Sequence, residues 1–436
     1  EAASIQATED LRKLEELRPR VVGITSTTSL FYEAADLSKR VKEKLGSDVK
    51  VIYGGPHATA LPEESLINSA FDIVVCSEGE DTLVEILEEK PLDEIKGIYY
   101  KDGGGQVFST PPREFIRDLD SLPFPAFDLY DLTRYKCTPL ISRKAPIGPI
   151  ETSRGCPNRC TFCCQSISKR VFRKKSPERV IEEIKYILKL GVKEIRLWDD
   201  QFAVDIGRAK KICELILKEN LNFSWNLAAG VRVDRVDEEF LILAKRSGCY
   251  QVGVGFESGD QASLDSVEKG ITIDESIKCM ELIKKVGIET AGLFMLGLPT
   301  DTEESLKKTI DLAVRLMPDY ARTSIVVPFP GTKLFEEYEK KGLIKSRDWS
   351  WYTFHGCAEK EIYQHPILSH ATLKKYYKLF YRKFYLNPRY ISRRLKKGLK
   401  ERTLVRDAYY GVRSFFPKLF SPASDPFIKN RHNKNH

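Results

Sequence analysis

Apolar positions in this chain follow two periods in turn. From about residue 150 to 330, short β-branched and aromatic runs at 150–153, 194–198, 223–228, 251–256, 290–296 and 322–327 predict six strands. Between them, apolar residues recur at helical spacing near 177–190, 207–219, 237–247, 275–286 and 302–316. Ser176-Pro177 places an N-cap residue before a proline at the first helical position. Thr300-Asp301-Thr302-Glu303 has capping-box spacing before the last of these helices. Such alternation predicts a parallel sheet with right-handed crossovers. An eight-unit barrel takes about 250 residues, so six units take roughly 190, close to the length of this segment. The expected fold is α/β, with an open, partial (βα)6 barrel whose ligand sits at the C-terminal strand ends.

Residues 1–90 repeat the alternation, with helices at 8–18, 33–45 and 81–89 and strands at 21–25, 49–53 and 73–76. The strands end in Ser26-Thr27-Thr28-Ser29, Gly54-Gly55-Pro56-His57-Ala58-Thr59 and Ser77-Glu78-Gly79-Glu80. Such turns suit a ligand rich in amides with a phosphate, and they equally serve as plain turns. Gly103, Gly104 and Gly105 between 98–100 and 107–108 predict a hairpin, and Pro111-Pro112 and Leu122-Pro123-Phe124-Pro125 predict an extended linker. The expected division is a first unit over 1–95, a linker with hairpin over 96–149, the barrel over 150–335 and a helical, basic region over 336–436.

Composition narrows the class. Apolar content of 42% with 30% charged residues is that of a soluble globular protein. No run approaches the roughly 18 apolar residues of a membrane span, and no signal-peptide pattern opens the chain. It starts on Glu1 rather than Met, as a fragment or processed form would. Ten cysteines without disulfide-framework spacing point to a reducing compartment, the cytoplasm. Charge is uneven: residues 371–436 hold 18 Lys/Arg against 3 Asp/Glu (+15), and residues 1–370 hold 52 against 59 (−7), together the net +8. Residues 374–400 interleave aromatic and basic residues. Such a tail packs on the barrel with aromatics inward, or lies peripherally on an anionic membrane. Nucleic acid is not an expected partner.

The strongest chemical signal is Cys156-Pro157-Asn158-Arg159-Cys160-Thr161-Phe162-Cys163, directly after the first barrel strand. Three thiolates on one short loop can hold three irons of a four-iron, four-sulfur cube and leave the fourth iron open to a small molecule. Structural zinc would want a fourth Cys or His at matched spacing, and none is evident. Cys164 reads as a bystander; Cys76, Cys137, Cys213, Cys249, Cys279 and Cys357 form no close pairs in sequence, so no second cluster is expected. Asp199 and Asp200 end the second barrel strand, where carboxylates accept hydrogen bonds from an ammonium group or cap a helix. Gly253-Val254-Gly255-Phe256-Glu257-Ser258-Gly259 narrowly misses the dinucleotide fingerprint. Glu257 there either faces a ligand or pairs with a basic residue such as Arg232. Phe294, on the fifth strand, either stacks on a base or belongs to the core.

The CxxxCxxC loop, with Phe162 before its last cysteine, resembles the signature of the radical S-adenosylmethionine (radical SAM) superfamily. The resemblance implies a [4Fe-4S] cluster on Cys156, Cys160 and Cys163, with S-adenosyl-L-methionine on the open iron. Its reductive cleavage would give a 5′-deoxyadenosyl radical that takes hydrogen from an unactivated carbon. Phe162, Asp199, Asp200, Glu257, Ser258, Phe294 and Pro328 would line the nucleotide, which aspartate reaches it being left open. The VVGIT-S-T-T, YGGPHAT-LPEE and SEGE segments resemble the cobalamin-binding domain of cobalamin-dependent members. Ser26, Thr27, Thr28, Gly54, Gly55, Pro56, His57, Glu78, Gly79 and Glu80 are the implied contacts, with His57 not placed as a cobalt ligand. A flavodoxin-like (Rossmann-type) domain has five parallel strands and only three are found, so this domain is expected to be N-terminally incomplete and cobalamin to belong to the full-length protein. The implied activity is methyl transfer to a lipid, tetrapyrrole or other apolar substrate, in an oxygen-sensitive enzyme served by ferredoxin or flavodoxin. Radical cyclisation without methylation stays open, as in anaerobic magnesium-protoporphyrin cyclases. So does an iron–sulfur binding protein associated with membrane or RNA.

Overall fold

Three parallel strands, β1 (Val21–Thr25), β2 (Lys50–Gly54) and β3 (Ile73–Val75), start the chain's first sheet. The computed structural model describes residues 11–134 and 142–415, except Lys13; Cys137 and the tail beyond 415 fall outside them. The helix expected at 8–18 is helical at its described residues 11, 12 and 14–17. Helices α1 (Phe31–Leu45), α2 (Pro56–Ala60), α3 (Pro62–Ile67) and α4 (Glu80–Leu87) connect and follow the strands. The hairpin assigned to the linker, β4 (Ile98–Lys101) and β5 (Val107–Ser109), belongs to this sheet instead: β4 pairs antiparallel with β3, giving the order β1-β2-β3-β4-β5. All three residues of β3 are buried, and a strand buried on both faces needs a partner on each edge.

The barrel strands are β6 (Ile147–Ile150), β9 (Glu194–Leu197), β10 (Ser224–Val231), β11 (Cys249–Glu257), β12 (Glu289–Leu296) and β13 (Tyr320–Ile325), all parallel in the order β13-β12-β11-β10-β9-β6. The first expected strand is split. Its end forms β7 (Ser153–Arg154), which pairs antiparallel with β8 (Arg173–Lys174). Outer helices are α5 (Pro177–Lys189), α6 (Ile206–Lys218), α7 (Glu238–Arg246), α8 (Gln261–Ser266), α9 (Ile273–Val286) and α10 (Glu303–Leu316). Ser176 caps α5 as expected. The capping box of α10 lies two residues later than expected: Thr302, not Thr300, is the N-cap, and it exchanges hydrogen bonds with Ser305. At the strand starts, the buried Glu194 carboxylate accepts from Arg143 N (2.7 Å), Lys144 N (2.8 Å) and Tyr250 Oη (2.8 Å) and closes that end.

After α11 (Lys333–Lys340) and α12 (Gly356–Glu359), the tail forms α13 (His370–Tyr385), α14 (Pro388–Glu401) and α15 (Leu404–Phe415). Helix α13 buries Leu373, Tyr376, Phe380 and Phe384, and Phe380 meets Phe294 of β12 at a ring separation of 5.4 Å. β13 is an edge strand, and α13 covers it chemically as well as sterically. Tyr381 Oη accepts from Thr323 N (3.3 Å) and donates to Thr323 O (3.1 Å). Tyr385 Oη does the same at Ala321 N (3.2 Å) and Ala321 O (2.9 Å). The interleaved aromatics therefore face the barrel, as the packed-helix expectation has it. Among the described residues no helix is long and apolar enough to cross a membrane.

Candidate active site

The cysteine loop leaves the C-terminal end of β6 and is pinned at its base by the β7–β8 pair. Gly155 opens it with φ of +81°, and a Cβ there would meet Val171 O at 2.2 Å, so only glycine lets the two limbs come this close. The adjacent carboxylates divide their work. Asp199 is buried and accepts from Thr152 N (2.7 Å), Thr152 Oγ1 (2.5 Å) and Ser153 Oγ (2.6 Å). Burial raises its carboxyl above the usual range despite those donors. Both of its oxygens are used in tying β9 to the loop. Asp200 is exposed, spends one oxygen on Gly155 N (3.0 Å), and is raised by the protein mass around the cleft mouth.

Each of the three cysteines has its own N–H donor. Asn158 Nδ2 reaches Cys156 Sγ (3.1 Å), Gln165 Nε2 reaches Cys163 Sγ (3.4 Å) and Arg232 Nη1 reaches Cys160 Sγ (4.0 Å). As free thiols, Cys160 and Cys163 resist ionisation. Burial pushes Cys163 up to about 11 and raises Cys160 against the pull of Lys269 and Arg232. Ligation to a cationic centre would have to expel those protons. Among the described residues no group of three or more His, Cys, Asp or Glu is arranged to hold a single metal ion. Three thiols on one loop, each with an N–H donor aimed at its sulfur, fit a cluster whose corners take one thiolate each. Cys164 points away, against Ser166 Oγ (3.2 Å) and Pro330 O (3.6 Å).

Across the mouth, Glu257 ends β11 at a register break, with φ of +60°, and its Oε1 accepts from Lys269 Nζ (2.7 Å). A buried non-glycine residue in the left-handed region costs on the order of 1 kcal/mol and clusters at functional sites. Its partner is thus Lys269, not Arg232. Arg232 instead donates to Lys269 O (2.7 Å) and Asp234 (2.9 Å). Sequence reasoning missed Lys269 as well as Asn158 and Gln165; their one signal is a polar side chain beside the cysteine loop or at a turn over the strand ends. Ser258 is buried and bonded to Thr309 Oγ1 (3.1 Å) and Asp260 N (3.1 Å). Phe294 is in the sheet–helix layer, 5.5 Å from Phe256 and against Phe380, so it faces away from the barrel interior. The alternate positions Ala291, Leu293 and Met295 are half-buried and occupy the other face of β12. Pro328 is buried in the turn after β13, and half-buried Phe162 lies 6.0 Å from Lys269 Nζ.

The three polar turns of the first unit follow β1, β2 and β3, and the last of them reaches the cysteine loop. Ser26 Oγ bonds Tyr53 Oη (2.7 Å); Thr27 is exposed and Thr28 buried. Gly55 has φ of +103°, and a Cβ there would meet Thr25 Oγ1 at 2.6 Å, so the turns after β1 and β2 touch; Gly54 is half-buried and Pro56 exposed beside it. The SEGE turn is committed elsewhere. Glu78 is buried and takes Arg173 Nη1 (2.7 Å), Arg154 Nη1 (2.7 Å) and Ile116 N (3.0 Å), while Glu80 takes Arg154 Nη2 (2.7 Å) and Gly79 N-caps α4. Burial alone would raise the Glu78 carboxyl, but the two arginines outweigh it and hold it low. Since Arg154 and Arg173 form the base of the cysteine loop, and Ser77 Oγ bonds Ile167 O (2.6 Å), the turn clamps that loop. His57 is sealed between Phe31 (4.3 Å) and Trp349 (5.6 Å), and neither ring nitrogen has a hydrogen-bond partner among the described residues. Burial lowers it to about 4.

Comparison with known proteins gives this arrangement a context. A family model described as the Radical SAM superfamily matches residues 150–313, and one described as B12 binding domain matches residues 3–87. An uncharacterized methyltransferase of Pyrococcus horikoshii is 36% identical over 392 residues, spanning 87% of this chain and 82% of that protein. The anaerobic magnesium-protoporphyrin IX monomethyl ester cyclase of Rubrivivax gelatinosus is 27% identical over 399 residues, spanning 89% and 70%. In fold, the chain is similar to the radical S-adenosylmethionine methyltransferase TsrM of Kitasatospora setae, solved with cobalamin and a [4Fe-4S] cluster bound. The TM-score there is 0.63 at 21% identity, over 76% of this chain and 66% of that one.

Proposed function

Because the chain belongs to the radical SAM superfamily, in the branch that joins the barrel to a B12-binding domain, we propose that it is a cobalamin-dependent methyltransferase. It acts on an unactivated carbon of an apolar small molecule. When bound, the [4Fe-4S] cluster supplies the electron that opens S-adenosylmethionine, and cobalamin supplies the methyl carrier. The observation that carries this reading is the set of three separately hydrogen-bonded thiols on a loop that the first unit clamps.

The chain's own residues bind, orient and enclose. Cys156, Cys160 and Cys163 hold three irons, and Arg232 and Lys269 set a cationic field beside Cys160 that favours its thiolate. Asp200 keeps a free oxygen for the methionine ammonium, and Glu257 accepts from a ribose hydroxyl. Asp199 and Ser258 shape the rim from behind. The half-buried face of Ala291, Leu293 and Met295 takes the adenine in place of Phe294. Ser26, Thr27, Gly54 and Gly55 receive the cobalamin tail, and Glu78 and Glu80 act on the cysteine loop. Electrons come from a small donor of the ferredoxin or flavodoxin kind. The cyclase relative favours a second reading, ring closure without methyl transfer, in the same site.

Anaerobic reconstitution with iron, sulfide, reductant and S-adenosylmethionine is expected to release 5′-deoxyadenosine, and Cys160→Ala to abolish the release. Retained release in Cys160→Ala overturns the assignment. Product mass separates the two readings: a gain of one CH2 unit supports methyl transfer, and loss of hydrogen alone supports cyclisation.

A further inference from the structure

Helix α14 is built inside out. Its inward face carries Arg393, Arg394 and Lys397. Arg393 donates to Met317 O (2.5 Å) and Pro318 O at the C-terminal end of α10. Arg394 holds Asp407 (2.9 Å) and Tyr320 Oη (3.0 Å), and Lys397 holds Asp319 (3.1 Å) and Glu289 (2.5 Å). Tyr390, in the first turn, packs inward on Phe384 and Tyr385, but beyond it the charges turn in and the aliphatic residues turn out. Ile391, Leu395 and Leu399, spaced one helical turn apart, are 42%, 51% and 66% exposed, and Val405 of α15 is 78% exposed. A surface helix ordinarily shows the reverse.

What covers such a stripe is settled by its surroundings. Arg389, Lys396, Lys400 and Arg402 are exposed beside it, with Glu401 the one exposed acidic residue of α14. The region from 371 onward holds 18 Lys/Arg against 3 Asp/Glu. A convex, single-helix stripe of aliphatic side chains rimmed by basic ones matches a planar, anionic, apolar-cored surface. We infer that α14 lies on an anionic lipid bilayer, Ile391, Leu395 and Leu399 entering the acyl boundary and the flanking Lys and Arg meeting lipid phosphates. This does not rest on the radical chemistry, and it moves the membrane contact from the aromatics of α13, which are buried or half-buried against the barrel, to the aliphatics of α14. The residues α14 grips (Glu289, Asp319, Tyr320) start β12 and β13, so the contact is at the end of the barrel opposite the cysteine loop.

The test is flotation of the whole chain with vesicles of phosphatidylcholine containing about one-third phosphatidylglycerol, against pure phosphatidylcholine. The chain is expected to float with the anionic vesicles and to lose about tenfold in bound fraction on pure phosphatidylcholine or in high salt. Leu395→Ser with Leu399→Ser, and separately Lys396→Glu with Lys400→Glu, are each expected to lose about tenfold with unchanged circular dichroism and melting temperature. Absence of flotation by the parent chain overturns the inference, as does flotation that neither double variant reduces. A dimer in sedimentation that the leucine variant dissolves also overturns it, because a second copy would then cover the stripe.

Discussion

Helices α13 and α14 are separated by two residues and share a composition of apolar and basic side chains, yet they present opposite faces to the barrel. The difference lies in what each packs against. α13 meets an edge strand and Phe294, so Phe380 and Phe384 enter and Arg382 and Lys383 remain in water. α14 meets the carbonyl end of α10 and the carboxylates of Glu289, Asp319 and Asp407, where unsatisfied acceptors and the negative end of a helix dipole call for cations. Amphipathicity gives a helix two faces, and the receiving surface selects which one is buried.

That contrast can be broken in order of size. Phe380→Ala is expected to cost about 4 kcal/mol in urea unfolding, as truncation of a fully buried aromatic does. Arg394→Met takes one donor from Tyr320 Oη and one from Asp407, which keeps Arg406 and Thr403, and is expected to cost on the order of 2 kcal/mol, so the charged seam contributes beside the apolar one. The third check moves to the apolar seam around His57. Its folded value near 4 is below the unfolded value near 6.5, so the unfolded chain takes up the proton first as pH falls. Stability from this residue is complete above about pH 6.5, and lowering the pH from about 7 to about 5 should cost roughly 2 kcal/mol. His57→Leu should remove that part of the slope. Leu399→Ala, on the outward stripe, is expected to change stability by less than about 0.5 kcal/mol. A large loss there would mean that α14 has an apolar partner within the fold.

The barrel was legible because strand runs and helical periods alternate at full length, and the cysteine loop because its spacing has few other uses. Faces and partners were less legible. Phe294 and Leu293 are neighbours of like chemistry on one strand, and a period of two assigns them to opposite sides without saying which side is the lumen. The SEGE turn carries two carboxylates that sequence pairs with a ligand, whereas Arg154 and Arg173, some 76 and 95 positions away, are what they grip. The α10 cap moved because Thr300 and Thr302 both precede a residue able to answer an N-cap, and only backbone geometry separates them. Pairing of the 98–108 hairpin with β3 leaves no local trace, since long-range strand partnership is not written in either strand's own pattern.

The two tyrosines that answer the backbone of Ala321 and Thr323 bear on how this protein can be cut. A shortened chain ending before His370 would keep every barrel strand and lose the lid on its last one. Its bare amides and carbonyls would then invite another molecule's strand to line up beside them, the first step of ordered aggregation. The smallest well-behaved form of this enzyme therefore reaches at least to the end of that helix, well past the last barrel strand.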